Sequence, residues 1–130
     1  MITEAYLTQI KTQLNTSVLV SSFQIVEEWD QPDRGYIRVR IQLVNDDFLE
    51  VAEYFVVSGE KCMTERYRYQ WMDSERQRLR KRWDNVEHYP DLPGFPDHVH
   101  LVDGQVLPGP RLNIPDLLLL LATEISPQDD

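Results

Sequence analysis

The run from residue 36 to 43 constrains the fold more than any other part of this chain: Ile37, Val39, Ile41 and Leu43 alternate with Tyr36, Arg38, Arg40 and Gln42. A period of two puts the aliphatic set on one face of a strand and the polar set on the other. Such a strand belongs in a sheet with one packed face and one wet face. Short polar links flank it. Residues 31–35 form a turn in which Pro32 fixes φ, and Asn45, Asp46 and Asp47 form a second, so the neighbouring strands pair antiparallel to it.

The same logic extends the sheet in both directions. Upstream, Phe23, Ile25 and Trp29 alternate against Gln24 and Glu28. Downstream, residues 48–57 make a third strand, and Ser58, Gly59 and Glu60 turn the chain into a fourth. There Tyr67, Tyr69 and Trp71 oppose Arg66, Arg68 and Gln70, and in a fifth strand Leu79, Lys81 and Trp83 oppose Arg80 and Arg82. Burial of the aromatic side is expected to leave Arg66, Arg68, Arg80 and Arg82 together on an exposed face.

Two helices complete the pattern. Thr3 and Glu4 read as a helix start, followed by an apolar stripe of Ile2, Tyr6, Ile10 and Leu14. Asn113 reads as the cap of a last helix with Pro115 and Asp116 in its first turn, and the consecutive leucines Leu117 to Leu121 make it apolar all round, as in a helix buried between layers or docked on a partner. Between them Pro90, Pro93 and Pro96 impose an irregular loop. It leads to a short strand at residues 98–101, a turn at Asp103 and Gly104, and a rigid connector at Pro108, Gly109 and Pro110. The expectation is a single α+β domain: helix 1–16, antiparallel meander 17–84, Pro-rich loop with a short strand 85–112, helix 113–125 and a frayed tail 126–130. The sheet is expected to have five or six strands, with both terminal helices on one face.

A chain of 130 residues with 42% apolar content builds one core without disulfides or metal. Cys62 is the only cysteine and reads as a small hydrophobe rather than a nucleophile. With no basic leader and no apolar run near the ~20 residues that span a bilayer, the expected compartment is the cytoplasm, with no membrane association.

Charge is distributed unevenly. Residues 1–60 carry ten acids and four bases, residues 61–83 three acids and eight bases, and residues 84–130 nine acids and one base, for a net charge of -9. An acidic body argues against broad polyanion binding, while a local basic patch can still hold one phosphate. Residues 61–100 also hold two of the three tryptophans and all three histidines, so candidate chemistry concentrates there.

Three chemistries fit those residue types. His98 and His100, two apart on a strand, point the same way and with His88 or Asp97 would make a divalent-metal site. Alternatively, His98 or His100 moves protons while Arg66, Arg68, Arg80 and Arg82 stabilise charge on a phosphodiester, with no cofactor. In the third reading the histidines and Asp84 only tie the loop to the sheet, and Trp83, Asp84 and Asn85 are a packing corner.

Four elements in order carry a family resemblance. They are Tyr67-Arg68-Tyr69-Gln70-Trp71-x-Asp73, Arg82-Trp83-Asp84-Asn85, His88-x-Pro90-x-Leu92 and Phe95-Pro96-x-His98-x-His100. Over residues 62–100 the chain closely resembles the TumE family, small bacterial proteins described as toxins of toxin-antitoxin pairs. It departs from the family pattern at Ser74, Glu75, Arg76 and Gln77, where a glycine is frequent, and at Asp97, where histidine is frequent. The resemblance implies a cytoplasmic toxin held by a cognate antitoxin and acting on RNA or translation. Its candidate catalytic residues are His98, His100 and Arg82, and Arg66, Arg68, Arg80, Trp83 and Asp84 are candidates for substrate binding. The alternative set of metal ligands is His88, His98 and His100. An acidic body suits docking to a basic antitoxin segment. A second reading, from a different class, is a non-catalytic binding module or homodimer that uses its last helix and a sheet edge.

Overall fold

A computed structural model describes residues 1–125; the expected tail at 126–130 falls outside them. In chain order the elements are α1 (Ile2–Thr16), β1 (Val20–Gln31), β2 (Arg34–Leu43), β3 (Phe48–Ser58), β4 (Lys61–Met72), β5 (Leu79–Asp84), β6 (His98–Leu101), β7 (Val106–Pro108) and α2 (Ile114–Glu124). All seven strands lie in one sheet, each antiparallel to the next, and their spatial order is their chain order. The class is α+β, with a meander covered on one face by the two helices.

The sheet has one strand more than the upper expectation of six. Residues 106–108 lie in the stretch expected as loop, with Pro108 opening the expected connector, yet His98 pairs with Pro108 and His100 with Val106. Proline is tolerated there because β7 is an edge strand, where no further neighbour needs its missing N–H.

The aliphatic side of β2 is fully buried, as are Leu49, Val51 and Phe55 of β3, and Tyr67, Tyr69, Trp71 and Trp83 join them. Leu7, Ile10 and Leu14 of α1 and Ile114, Leu117 and Leu121 of α2 close this core. In α1 the buried stripe is Thr3, Leu7, Ile10 and Leu14, not Ile2, Tyr6, Ile10 and Leu14. A strict four-residue spacing outruns the 3.6-residue turn, so Ile2 ends up exposed. Thr3 is not the cap: it lies inside the helix and donates its hydroxyl to the Gln31 carbonyl at 2.9 Å. Asn113 caps α2, its side chain accepting from Asp116 N at 2.7 Å. That helix is not apolar-packed on every side, because Leu119 faces solvent.

One charge sits in this core. Glu53 lies between Val51 and Phe55 on the buried face and accepts from Tyr6 Oη (2.7 Å), Thr64 Oγ1 (2.9 Å) and Ile114 N (3.0 Å). It therefore ties α1, β4 and the start of α2 to the middle of the sheet.

Of four register shifts in the sheet, two overturn the faces expected from alternation. A register shift between Ile25 and Glu27 leaves Val26 unpaired, so Trp29 moves away from the side of Phe23 and Ile25 and lands opposite Tyr36 on the open face. A second shift, where Trp71 pairs with Lys81 and Met72 with Leu79, leaves Arg80 out of the ladder.

Candidate functional site

The open face is organised in cross-strand rows. One row runs Arg38, Ala52, Arg68, Asp84, His98; the next runs Arg40, Glu50, Gln70, Arg82, His100. A period of two on β5 and β6 thus gathers Arg82, Asp84, His98 and His100 from two adjacent strands. Trp83 and Val99, between them in sequence, point into the core.

Asp84 is the centre of this group. Its Oδ1 accepts from Val86 N at 3.1 Å and lies 2.8 Å from His98 Nε2; its Oδ2 accepts from Arg82 Nε at 3.1 Å and lies 3.4 Å from His100 Nε2. Asp84 and His98 side chains are only 3% and 2% exposed, whereas His100 is 15% and Arg82 26% exposed.

Hydrogen-bond chemistry fixes the roles of the ring nitrogens. The Pro96 carbonyl only accepts, so His98 Nδ1, 2.9 Å away, donates to it. The other ring nitrogen, Nε2, lies 2.8 Å from Asp84 Oδ1. For His100 the logic reverses. Arg82 Nη2 only donates, so His100 Nε2 at 3.2 Å accepts from it, and its 3.4 Å approach to Asp84 is the longer of its two contacts. Burial lowers the His100 pKa below the ordinary imidazole value of 6.5, Arg82 reinforcing the shift and Asp84 opposing it. His100 is therefore a neutral acceptor at pH 7, and the more accessible of the pair.

Asn85 explains why a cleft opens beside this cluster. β5 ends at Asp84, and the Asn85 carboxamide takes over its place in the ladder, accepting from Tyr67 N at 3.2 Å and donating to the Glu65 carbonyl at 2.8 Å. Beyond it the chain leaves the sheet, and an open cleft of about 1070 Å³ forms between the end of β4 and the loop, with Arg66, Arg68, Asn85 and Arg111 among its walls.

Arg66, Arg68 and Arg82 share the open face, but Arg80 does not join them. As the bulged residue, Arg80 turns to Asp47, with Nε 2.6 Å from Oδ2, and that same carboxylate accepts from Trp71 Nε1 at 2.9 Å. Its partner is structural. Trp83 packs in the core rather than on the open face.

Donors fit for a metal are Asp84, His98 and His100, whose ligand atoms lie within 4.8 Å of one another. His88 is exposed and outside the group, and Asp97 instead accepts from Tyr67 Oη (2.8 Å) and Arg111 Nε (3.2 Å). The donor types suit a divalent ion, but the Arg82 guanidinium already bonds both Asp84 and His100, so an ion would compete with a fixed cation. Cys62 is half-buried, and burial and Glu53 push its thiol pKa up, away from nucleophilic use.

Tyr89 was missed by pattern reasoning. Its exposed ring stands 5.0 Å from that of His98 and 6.0 Å from that of His100, edge on to both, and it covers the histidines from the loop. Only its place inside the His88-x-Pro90 element pointed to it.

The family model described as Toxin TumE matches residues 10–126. The chain belongs to the TumE family of toxins. That match spans most of the sheet, the Asp84 cluster and α2. No curated protein and no solved structure matches the chain significantly. Among the described residues no helix of this TumE member is long and apolar enough to cross a membrane.

Proposed function

We propose that this TumE protein is the toxin of a bacterial toxin-antitoxin pair and acts in the cytoplasm on RNA, cleaving a phosphodiester at the Asp84 cluster. The observation that carries this reading is the fixed triangle of Asp84, Arg82 and His100 on an open face beside a cleft with two more arginines.

Each group has a distinct task. As Arg82 Nη2 turns to the phosphate and frees the lone pair it occupies, His100 Nε2 takes the proton of a ribose 2′-hydroxyl while that oxygen bonds to the adjacent phosphorus. The phosphorus–5′-oxygen bond breaks, the departing oxygen takes a proton from water, and the hydroxide so formed is neutralised by the proton on His100. Arg82, oriented by Asp84, and Arg68 in the neighbouring row stabilise charge on the phosphoryl oxygens. His98 is too buried to meet substrate, so its role is positioning: with Pro96 and Asp84 it locks the carboxylate that aims Arg82. Arg66 steers the strand in the cleft. The antitoxin would supply a basic segment complementary to the acidic body.

The deciding experiment is tightly induced expression in bacteria, alone and with the antitoxin encoded beside it. His100→Ala and Arg82→Ala should relieve growth arrest while the proteins stay folded and soluble, and sequencing of RNA ends should show new 5′-hydroxyl termini that vanish in both variants. Arrest that persists in His100→Ala would remove this mechanism.

A further inference from the structure

A row of aromatic side chains lies on the wet side of the sheet, apart from the Asp84 cluster. Trp29, Tyr36 and Tyr54 occupy one row ending at Arg66, with Trp29 stacked on Tyr36 (6.3 Å, 26°) and tilted to Tyr54 (6.3 Å, 47°). Cross-strand aromatic contact alone would stabilise the sheet. Three further observations point to a ligand.

In the next row, Ala52 is the one small side chain between Arg38 and Arg68, and it floors a hollow of about 330 Å³. That hollow and the larger cleft share Tyr36, Ala52 and Arg68 as walls, so the two form one lane that leads toward Asp84. Finally, Arg38 is neutralised by Glu50 at 2.6 Å, whereas Arg66 and Arg68 have no carboxylate partner among the described residues; the one side-chain bond of Arg68 is to Gln70 Oε1. Two free guanidiniums beside an aromatic platform match a nucleotide strand, its bases on the rings and its phosphates on the arginines.

We propose that single-stranded RNA lies along this lane, one base stacked on Tyr36 and Tyr54 over Ala52, its phosphates on Arg66 and Arg68, with the following phosphodiester at Arg82 and His100. The proposal rests on the RNA-directed reading and names its substrate class. Arg68 and Asp84 are direct cross-strand partners, so a strand held by Arg68 lies next to the row that carries the cluster. A duplex does not fit this arrangement, because a base can reach the platform only when it is unpaired and splayed from its neighbours.

The test measures binding apart from cleavage. Fluorescence anisotropy with a labelled unstructured RNA dodecamer, and with the same strand annealed to its complement, is read on the wild-type protein and on a His100→Ala background. The single strand should bind at least tenfold tighter than the duplex. Tyr36→Ala and Tyr54→Ala should each weaken it by roughly five- to a hundredfold. Ala52→Glu, which keeps every ring in place and puts a carboxylate in the hollow, should do the same even if the tyrosine variants fold poorly. Arg68→Ala should lower the slope of log affinity against log salt by about 0.7. Equal affinity for duplex, or wild-type affinity in Ala52→Glu, would overturn the lane. So would loss of antitoxin capture in that variant with RNA affinity unchanged, since the face would then be a protein-docking surface. The two readings fail separately. Single-strand binding that obeys these expectations without growth arrest or cleavage sinks the catalytic reading alone, and His100-dependent arrest untouched by Ala52→Glu sinks the lane alone.

Discussion

Nε2 of His98 and Oδ1 of Asp84 stand 2.8 Å apart, both side chains almost wholly removed from solvent. Removal of the carboxylate strands the imidazole, the Arg82 guanidinium and Val86 N together. Asp84→Ala should therefore cost about 3–5 kcal/mol, far more than an exposed ion pair. Urea unfolding monitored by tryptophan fluorescence measures it; a loss under about 1 kcal/mol would mean that the pair contributes nothing net.

The two neighbouring arginines of β5 should separate stability from activity. Arg80 serves Asp47, and Arg82 serves the cluster. Arg80→Ala is expected to lower stability by about 1–2 kcal/mol and leave growth arrest intact, while Arg82→Ala abolishes arrest. A shared loss of arrest in two equally stable variants would return Arg80 to the site.

Metal affinity should rise when the resident cation is removed. Calorimetric titration of Zn²⁺ or Mn²⁺ into Arg82→Ala should show binding about tenfold or more tighter than in the wild type, because a positive charge next to the three donors disappears. Equal affinity in both proteins would show that Arg82 does not compete for those donors.

Glu53 gives the protein a pH dependence of definite sign. Burial raises its pKa above the ordinary 4.5 despite three donors, so the folded state holds the proton more tightly than the unfolded chain does. The stabilisation this brings is full below about pH 4.5 and is lost as pH rises through the raised folded pKa. Glu53→Gln does not titrate and can still accept from Ile114 N. The stability of the variant relative to the wild type should therefore climb from about pH 4.5 upward and then level off. A difference flat with pH would mean that Glu53 titrates normally.

A Cβ on Gly35 would lie 2.5 Å from Phe55 Cζ, whose ring fills the space above the glycine. Gly35→Ala should cost about 1–3 kcal/mol, and Phe55→Leu in the same chain should recover part of it. Strict additivity of the two changes in thermal melts would contradict the contact.

The alternation on β2 and β4 carried the buried face, the helices' side of the sheet and the open-face placement of Arg66, Arg68 and Arg82, because period two translates directly into face. It failed at Trp29, which lies downstream of a bulge whose extra residue reverses the side chains that follow, and at Arg80, which is itself the extra residue of a bulge; nothing in residues 25–27 or 78–81 signals either insertion. The cluster was half legible. His98 and His100 stood out by spacing and one reading joined Asp84 to them, but that Asp84 stands at the centre and Asn85 ends the strand depends on a loop whose path no local pattern fixes. Glu53 was hidden by its own alternation, since a charge at a core position is intelligible only once Tyr6, Thr64 and the start of α2 are known to converge on it.

Strand order identical to chain order has a consequence for how this protein is made. Every strand finds its partner in the strand made just before it, so the sheet can grow by successive hairpins, the β5–β6 link through the Pro-rich loop being the one long closure among the described residues. Arg82, Asp84, His98 and His100 lie in the fifth and sixth of seven strands, and α2, which seals the core, comes later still. A ribosome therefore extrudes four strands before the cluster begins and the sealing helix after it, and on the proposed function an antitoxin translated nearby would have that interval to meet the chain before the site is complete.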